Sequence, residues 1–297
     1  MTGIYEAINV ATTSKTLPRV ETYGSVLAPG SIMLVDLSAI NWDPTGSATV
    51  IGNLAMDEAK ALTGLTESDL RSFLVAGSQI SGLKFERTKK GGFHIMADQA
   101  TFHNSAYSTL RFVNNALGAW IKTNMTGHQY YLDIWSRLTR SAVINSASGQ
   151  SALHMFGASD VFAVVMDTTG NKTLLTTAQA GGSLLSDTYL KDNTAGEEFR
   201  MALAGTLVSG AAETSLAQTG VRLRTLTAAS AANGGATPYT GAPSFIMYNW
   251  YLEDLTASGR TAEEVDAIRK KQFQDAFAVG GVFYGDTWTD PSTVTFS

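Results

Sequence analysis

The stretch from residue 245 to residue 291 constrains the fold of this chain most strongly. It opens with an apolar, aromatic pattern typical of a β-strand, which ends at Glu253-Asp254. The T-x-x-E capping box at Thr261–Glu264, apolar residues at helical spacing and the stop at Gly280-Gly281 predict a helix over 261–278. The glycines then predict a return into a further aromatic strand. This segment therefore places one well-defined helix between two predicted strands.

The rest of the chain is patterned mostly as strands. The runs LKFERT and FHIMA flank a Lys-Gly-Gly turn, which predicts a hairpin. Residues 128–140 predict a long strand with Tyr131, Asp133, Trp135 and Arg137 on one face, because successive side chains alternate. Short helices are predicted near 55–75: one over 55–62, and one over 66–75 that Thr66 caps and in which Leu70, Phe73 and Leu74 share a face. A further strand opens at Trp120–Lys122. Many short strands between Gly and Asn/Asp turns predict a mainly-β sandwich.

Two regions are predicted along the chain. Residues 1–30 lack lasting periodicity and contain two prolines, so we expect an N-terminal arm. Residues 31–297 are expected to form one β-sandwich domain, because no linker divides them. Within the arm, Ile4, Tyr5 and Val20 are the candidates for contacts with neighbouring molecules.

Composition excludes several classes of function. The net charge is −5, which argues against nucleic acid as a partner because phosphate binding requires clustered Lys and Arg. The absence of cysteine excludes disulfides and thiolate chemistry. No apolar run reaches the roughly 18 residues of a membrane span. Charged residues make up 16%, below the roughly 25% of a typical soluble protein. Such a surface is less costly to cover with neighbouring subunits.

The C-terminal segment resembles phage and prophage proteins of the concanavalin-A-like (LamG-type) jelly-roll superfamily. The resemblance rests on two patterns, x-Y-x-x-Y-x-E-D-L-T-x-S-G-R-T and G-G-x-F-Y-x-D-T-x-T-D-P. The matching residues are Tyr248, Tyr251, Glu253, Asp254, Leu255, Thr256, Ser258, Gly259, Arg260, Thr261, Gly280, Gly281, Phe283, Tyr284, Asp286, Thr287, Thr289, Asp290 and Pro291. The resemblance implies a jelly-roll β-sandwich and a virion origin. It covers about fifty residues closely and the preceding part only in style.

No catalytic motif is found, so the sequence predicts that the chain is not an enzyme. Glu253 and Asp254 are adjacent on a strand, so they cannot face one cleft together. We expect them to cap the nearby turn or to pair with Arg260. The superfamily's hydrolases carry an E-x-D-x-x-E strand, which this sequence lacks. A glycan hydrolase is therefore the least favoured of the functions considered.

No metal or cofactor is predicted from the sequence. The histidines, at positions 94, 103, 128 and 154, lack the spacing of metal ligands, and ordinary hydrogen bonds are expected for them. The turn over 167–172 has residue types found at calcium sites, but a hairpin turn accounts for it more simply.

Three aromatic residues in loop-like contexts are candidates for contact with a glycan or a subunit: Trp42, Tyr239 and Trp288. The function favoured at this point is a structural protein of a tailed-phage virion, decorating or extending a capsid or tail. Its expected partners are other copies of itself and other virion proteins. The alternative is a glycan-binding module that attaches to the host surface.

Overall fold

The computed structural model describes residues 25–39, 49–75, 83–98, 108–111, 115–124, 127–141, 151–156, 162–166, 172–176, 180–184, 194–207, 220–225 and 244–296. Within these ranges the chain forms fourteen strands and four α-helices. The strands are β1 (Ser31–Asp36), β2 (Thr49–Ile51), β3 (Ser72–Val75), β4 (Leu83–Arg87), β5 (Phe93–Ala97), β6 (Ser108–Arg111), β7 (Gln129–Arg140), β8 (Ser151–Phe156), β9 (Phe162–Met166), β10 (Lys172–Thr176), β11 (Ala180–Leu184), β12 (Glu198–Leu207), β13 (Gly220–Thr225) and β14 (Ser244–Asp254). The helices are α1 (Met56–Thr63), α2 (Asn115–Asn124), α3 (Leu255–Ser258) and α4 (Ala262–Phe277).

The strands form two antiparallel sheets of seven strands each. The first has the order β11-β12-β7-β14-β5-β4, and β1 shares one edge of β14 with β5. The second has the order β10-β9-β8-β13-β6-β3-β2. Ser72 of the second sheet lies 3.1 Å from the sulfur of Met33 in the first, so the sheets meet there. The predicted fold class is confirmed as mainly β with a few short helices, its strands arranged in two sheets.

Strand β14 lies at the centre of the first sheet and is buried along its whole length. Helix α4 covers one face of this sheet, where Tyr248, Tyr251 and Glu253 point toward the C-terminal segment. A register shift between Met247 and Asn249 interrupts the alternation, which brings Asn249 onto the same face as Tyr248. The predicted alternation of β7 is confirmed, because Tyr131, Asp133, Trp135 and Arg137 all contact groups on the α4 side.

Helix α4 begins and ends where the sequence predicts. The Thr261 hydroxyl accepts the backbone N–H of Glu264, and the Glu264 carboxylate accepts the backbone N–H of Thr261, so the capping box is complete. The apolar side of the helix packs on the sheet through Val265, Phe273 and Phe277. The local signals are strong enough here to fix the element without reference to its neighbours.

Three predicted elements differ in the structure. Helix α1 is present, but the expected helix from Thr66 is a single 3₁₀ turn, Glu67–Leu70, followed by β3. Pairing of β3 with both β2 and β6 overrides the helical pattern. The strand expected at Trp120–Lys122 is part of helix α2. The aromatic strand expected after α4 is a series of turns, because Gly280 and Gly285 have φ of +85° and +65°.

Residues 1–24 of the predicted arm, including Ile4, Tyr5 and Val20, lie outside the described residues. The end of the predicted arm packs on the sandwich. Val26 is fully buried in the same cluster as Tyr251 and Leu255. A Cβ on Gly30 would lie 2.1 Å from the carbonyl oxygen of Asp254, so only glycine allows this close approach.

Candidate functional site

A layer of buried charged and polar side chains lies between the first sheet and helix α4. Arg269 and Asp133 are both fully buried, and the Arg269 Nε lies 2.7 Å from the Asp133 Oδ2. The Arg269 Nη2 donates to the Asn249 Oδ1 at 2.6 Å, and its guanidinium stacks over the Trp135 ring at 4.3 Å. One cation from α4 is therefore held by two strands at once.

Arg200 of β12 extends this layer toward the edge of the sheet. It donates to the Tyr131 hydroxyl at 3.1 Å and to the Asp266 carboxylate at 2.6 Å. The Nη1 that donates to Tyr131 also lies 3.6 Å from the Asp133 Oδ1. Burial lowers the pKa of Arg200, but the nearby carboxylates outweigh it and raise the pKa above its ordinary value. These groups fix the position of α4 against the sheet.

Glu253 and Asp254 point to opposite faces of β14, as the sequence predicts. Glu253 pairs with Arg260 through distances of 2.5 and 2.9 Å, and it also accepts the Tyr251 hydroxyl. Asp254 accepts the backbone N–H of Ala257 and caps α3, and it lies 2.6 Å from His128. The expected capping and pairing roles are confirmed, and the two carboxylates do not converge on a cleft.

A second cluster lies at the other end of the same face. His94 of β5 is fully buried, and each of its ring nitrogens has one partner. Its Nδ1 lies 2.8 Å from the Glu86 carboxylate, and its Nε2 lies 2.8 Å from the Thr139 hydroxyl oxygen. Three side chains from three strands therefore form a carboxylate–imidazole–hydroxyl line.

The protonation of this line follows from its surroundings. Burial lowers the pKa of His94, which outweighs the raising effect of Glu86, so the ring is neutral at pH 7. Burial alone would raise the pKa of Glu86, but hydrogen bonds from His94 and Thr289 outweigh it and lower the pKa. Glu86 is then an ionised acceptor, which places the His94 proton on Nδ1. The Thr139 hydroxyl must donate to the free Nε2.

Residues 286–293, here called the C-terminal strap, lie against this cluster. Thr289 donates its backbone N–H to Glu86 at 2.7 Å and its hydroxyl at 2.6 Å. The Arg140 Nη1 donates to the carbonyl of Pro291 at 3.3 Å. The backbone of Lys90 donates to Asp286 at 2.8 Å. Hydrogen bonds therefore tie the strap to β4, to the turn between β4 and β5, and to the end of β7.

Sequence reasoning named His94 but not its two partners. The hairpin of β4 and β5 pairs Glu86 directly with His94, so the register of that predicted hairpin carried the signal. Thr139 is 45 residues further along the chain, and nothing local connects it to the hairpin.

The predicted aromatic candidates have different outcomes. Trp288 is half-buried and packs against the buried cluster that contains Phe277 and Phe283. The Arg137 guanidinium lies 5.2 Å from the centre of its ring, so the ring is used for packing. Trp42 and Tyr239 lie outside the described residues. In contrast, Tyr130, Tyr131, Trp135, Trp250 and Phe283 are all buried in the core.

The described residues contain no group of three or more His, Cys, Asp or Glu side chains that could hold a metal ion. The turn over 167–172 has residue types found at calcium sites, and all of it except Lys172 lies outside the described residues. In the described part of the chain, no helix is long and apolar enough to cross a membrane.

No protein-family model matches the sequence, and neither does any curated protein. Among solved structures, a Trypanosoma rangeli sialidase matches at 11% identity and a TM-score of 0.37, over 84% of this chain and 33% of the sialidase. A botulinum neurotoxin type C structure, described by its interaction with two ganglioside molecules, matches at 8% identity and a TM-score of 0.34, over 82% of this chain and 51% of that one. This chain spans about a third of the length of the sialidases it matches.

The prediction that the chain is not an enzyme is contradicted, because sialidases are among the solved structures that it matches. That prediction rested on the absence of a sequence motif, and carboxylates or hydroxyls that come together only in the fold leave no such motif. TM-scores of 0.35 to 0.38 do not carry the activity of those sialidases over to this chain.

Proposed function

We propose that this chain is a structural protein of a tailed-phage virion, where copies of it decorate or extend a capsid or tail. Its partners are other copies of the chain and other virion proteins. The proposal rests on the resemblance of the C-terminal segment to phage and prophage jelly-roll proteins. The way in which that segment folds supports the resemblance.

The residues that carry the resemblance bond to one another in the folded chain. The Tyr248 hydroxyl donates to Asp286 at 2.9 Å, which joins the first pattern to the second. Phe283 is fully buried and packs on Tyr248 at 4.4 Å between ring centroids. If the residues matched the two patterns only by chance, there would be no reason to expect them to contact one another in the fold. This joining of the two patterns is the observation that carries the proposal.

The same segment also holds the end of the predicted arm. The Arg260 Nη2 donates to the carbonyl of Val26 at 2.6 Å, and the Tyr251 hydroxyl donates to it at 3.1 Å. The described end of the predicted arm, residues 25–30, is therefore held at a fixed point on the sandwich. A fixed starting point suits an arm that contacts a neighbouring copy, since less freedom is lost when the contact forms.

The direct test is to look for the chain in purified particles. Particles produced by the source strain are banded in a density gradient, and the chain is quantified by mass spectrometry against a known capsid protein of the same particles. We expect many copies per particle, because virion lattices repeat one contact by symmetry. A chain found only among soluble proteins, and absent from the particle band, overturns the proposal.

The role of the arm needs a separate variant. Deletion of residues 1–24 leaves Val26 and its partner Arg260 in place, so the sandwich should keep its thermal stability. We expect the truncated chain to lose self-association in light scattering and incorporation into particles. Unchanged incorporation would remove the arm from the proposal. Binding of the intact chain to an array of host-surface glycans would instead favour the alternative function.

A further inference from the structure

The geometry of Glu86, His94 and Thr139 points to a second capability, independent of assembly. We propose that these three residues form a latent acyl-transfer site, in which Thr139 is the nucleophile toward carboxylic esters and the C-terminal strap controls access to it. Neither the resemblance to phage proteins nor the likeness to solved structures assigns this site.

The arrangement has the donors and acceptors that nucleophilic catalysis requires. A hydroxyl oxygen is a weak nucleophile until a neighbouring base accepts its proton as it attacks. The Nε2 of His94 is placed to do this at 2.8 Å from the Thr139 oxygen. Glu86 holds the other ring nitrogen at 2.8 Å, which keeps the ring in the required tautomer and stabilises the cation formed during the reaction.

Arg140 supplies donors for the negative charge that develops on the substrate. Arg140 follows Thr139 directly on β7, and its Nη1 donates to the strap at the carbonyl of Pro291 at 3.3 Å. Its Nε and Nη2 are buried and have no hydrogen-bond partner among the described residues. Buried unpartnered donors are costly, and stabilisation of an oxyanion is one function that would account for them beside Thr139.

The reaction balances without any further reactant except water. The Thr139 oxygen bonds to the ester carbonyl carbon, and its proton passes to His94 Nε2. His94 then gives that proton to the departing alkoxide as the carbon–oxygen bond breaks, which leaves an acylated Thr139. Water attacks the acyl group with His94 again as the base, releases the carboxylic acid and restores the hydroxyl.

Thr139 is only 7% exposed, and the strap is bonded both to the adjacent Arg140 and to Glu86, so access to the threonine is assigned to the strap. The bonds between Thr289 and Glu86 lie at the surface, where hydrogen bonds contribute little net stability. Such a segment opens locally without unfolding of the domain. Opening frees one oxygen of Glu86 and uncovers the end of β7, while the bond between Glu86 and His94 can persist.

The test uses the full chain and a fluorophosphonate probe, which a nucleophilic hydroxyl attacks with loss of fluoride. The adduct is located by peptide mass spectrometry, and its rate of formation is compared across variants. We expect labelling at Thr139 in the wild type and a rate at least tenfold higher in Thr289→Ala, which loosens the strap. We expect at least a tenfold loss in His94→Gln and no adduct at this position in Thr139→Val.

Thr139→Ser guards against a trivial result, because it keeps a hydroxyl and should keep labelling even if Thr139→Val is misfolded. Thermal melts of all variants report whether they are folded. Absence of an adduct at position 139 in the wild type, Thr289→Ala and Thr139→Ser overturns the proposal. Labelling of Thr139 at a rate that His94→Gln does not change also overturns it. Equal rates in the wild type and Thr289→Ala would refute control by the strap.

Discussion

Replacement of Arg269 by methionine is the most direct test of how the sheet and helix α4 are held together. Methionine keeps most of the apolar length of the side chain and removes the charge. The change deletes the bond to Asp133 at 2.7 Å, the bond to Asn249 at 2.6 Å and the stacking over Trp135 at 4.3 Å. Asp133 remains fully buried, with the Trp135 indole N–H at 2.8 Å and Arg200 at 3.6 Å as its partners.

The expected cost is set by the charge left behind. Removing one partner of a buried ion pair typically costs about 3–5 kcal/mol, because the remaining charge loses its compensation. Arg200 reduces this cost, but at 3.6 Å it cannot replace a direct hydrogen bond. We therefore expect Arg269→Met to lower the free energy of unfolding by about 3 kcal/mol or more. That is a large fraction of a typical total of about 5–15 kcal/mol.

Urea unfolding followed by tryptophan fluorescence measures the change, since Trp135 lies against the site. The matched control is Lys271→Met, on the same helix. Lys271 pairs with Asp275 at 2.7 Å, but the two side chains are 75% and 65% exposed. Exposed i,i+4 pairs contribute only about 0.3–0.5 kcal/mol. A loss in Arg269→Met no larger than the loss in the control would refute the reasoning.

The double variant Asp133→Asn with Arg269→Met separates charge from packing. It leaves no buried carboxylate without a cation, so it should be more stable than Arg269→Met alone. A coupling free energy within the range of about 0.5–3 kcal/mol known for contacting residues is expected. A double variant as unstable as the sum of the two single changes would show that the pair does not interact.

Three further outcomes are expected. Gly281→Ala should lower the melting temperature by several degrees, because its Cβ would lie 2.3 Å from the carbonyl oxygen of Asp275, whereas Gly52→Ala, with nothing within 4 Å, should not lower it. Thr261→Ala should cost about 1 kcal/mol in urea unfolding and Thr261→Ser much less, because serine keeps the cap; equal losses would argue against the capping role. Burial lowers the folded-state pKa of His94, so the unfolded chain binds the proton more tightly, and stability is full above the ordinary value of 6.5 and falls as pH drops below it. His94→Gln should flatten that part of the stability profile, and an unchanged slope would remove His94 as its cause.

The elements that the sequence predicts best are those fixed by nearby residues. Helix α4 has its cap at Thr261–Glu264 and its stop at Gly280-Gly281, so its bounds needed no tertiary information. Residues 66–75 have a helix-like pattern of Leu70, Phe73 and Leu74, but the pairing of β3 on both of its edges decides the conformation of the second half. Pattern alone cannot show such pairing, because the partner strands lie elsewhere in the chain.

The candidate site was predictable only in part for the same reason. Glu86 and His94 face each other across one hairpin, so the hairpin pattern implied their contact. Thr139 reaches His94 because β14 pairs with β5 on one edge and with β7 on the other. Side chains from β5 and β7, which are distant in sequence, therefore meet on one face of the sheet. The strap reaches Glu86 from Thr289, more than two hundred residues away. Only the order of strands in the sheet shows that these residues lie close together.

Several of the few charged residues of this chain are buried, some of them in the layer beneath α4. The sequence has 21 Lys and Arg and 26 Asp and Glu residues. Among the described residues, eight of these are buried, at positions 36, 133, 137, 200, 253, 254, 269 and 286. Charged residues that are buried in the domain do not contribute to its surface. The surface therefore carries fewer charged residues than the composition alone suggests. Covering a surface of this kind with neighbouring copies costs less desolvation free energy, which favours the assembly role proposed here.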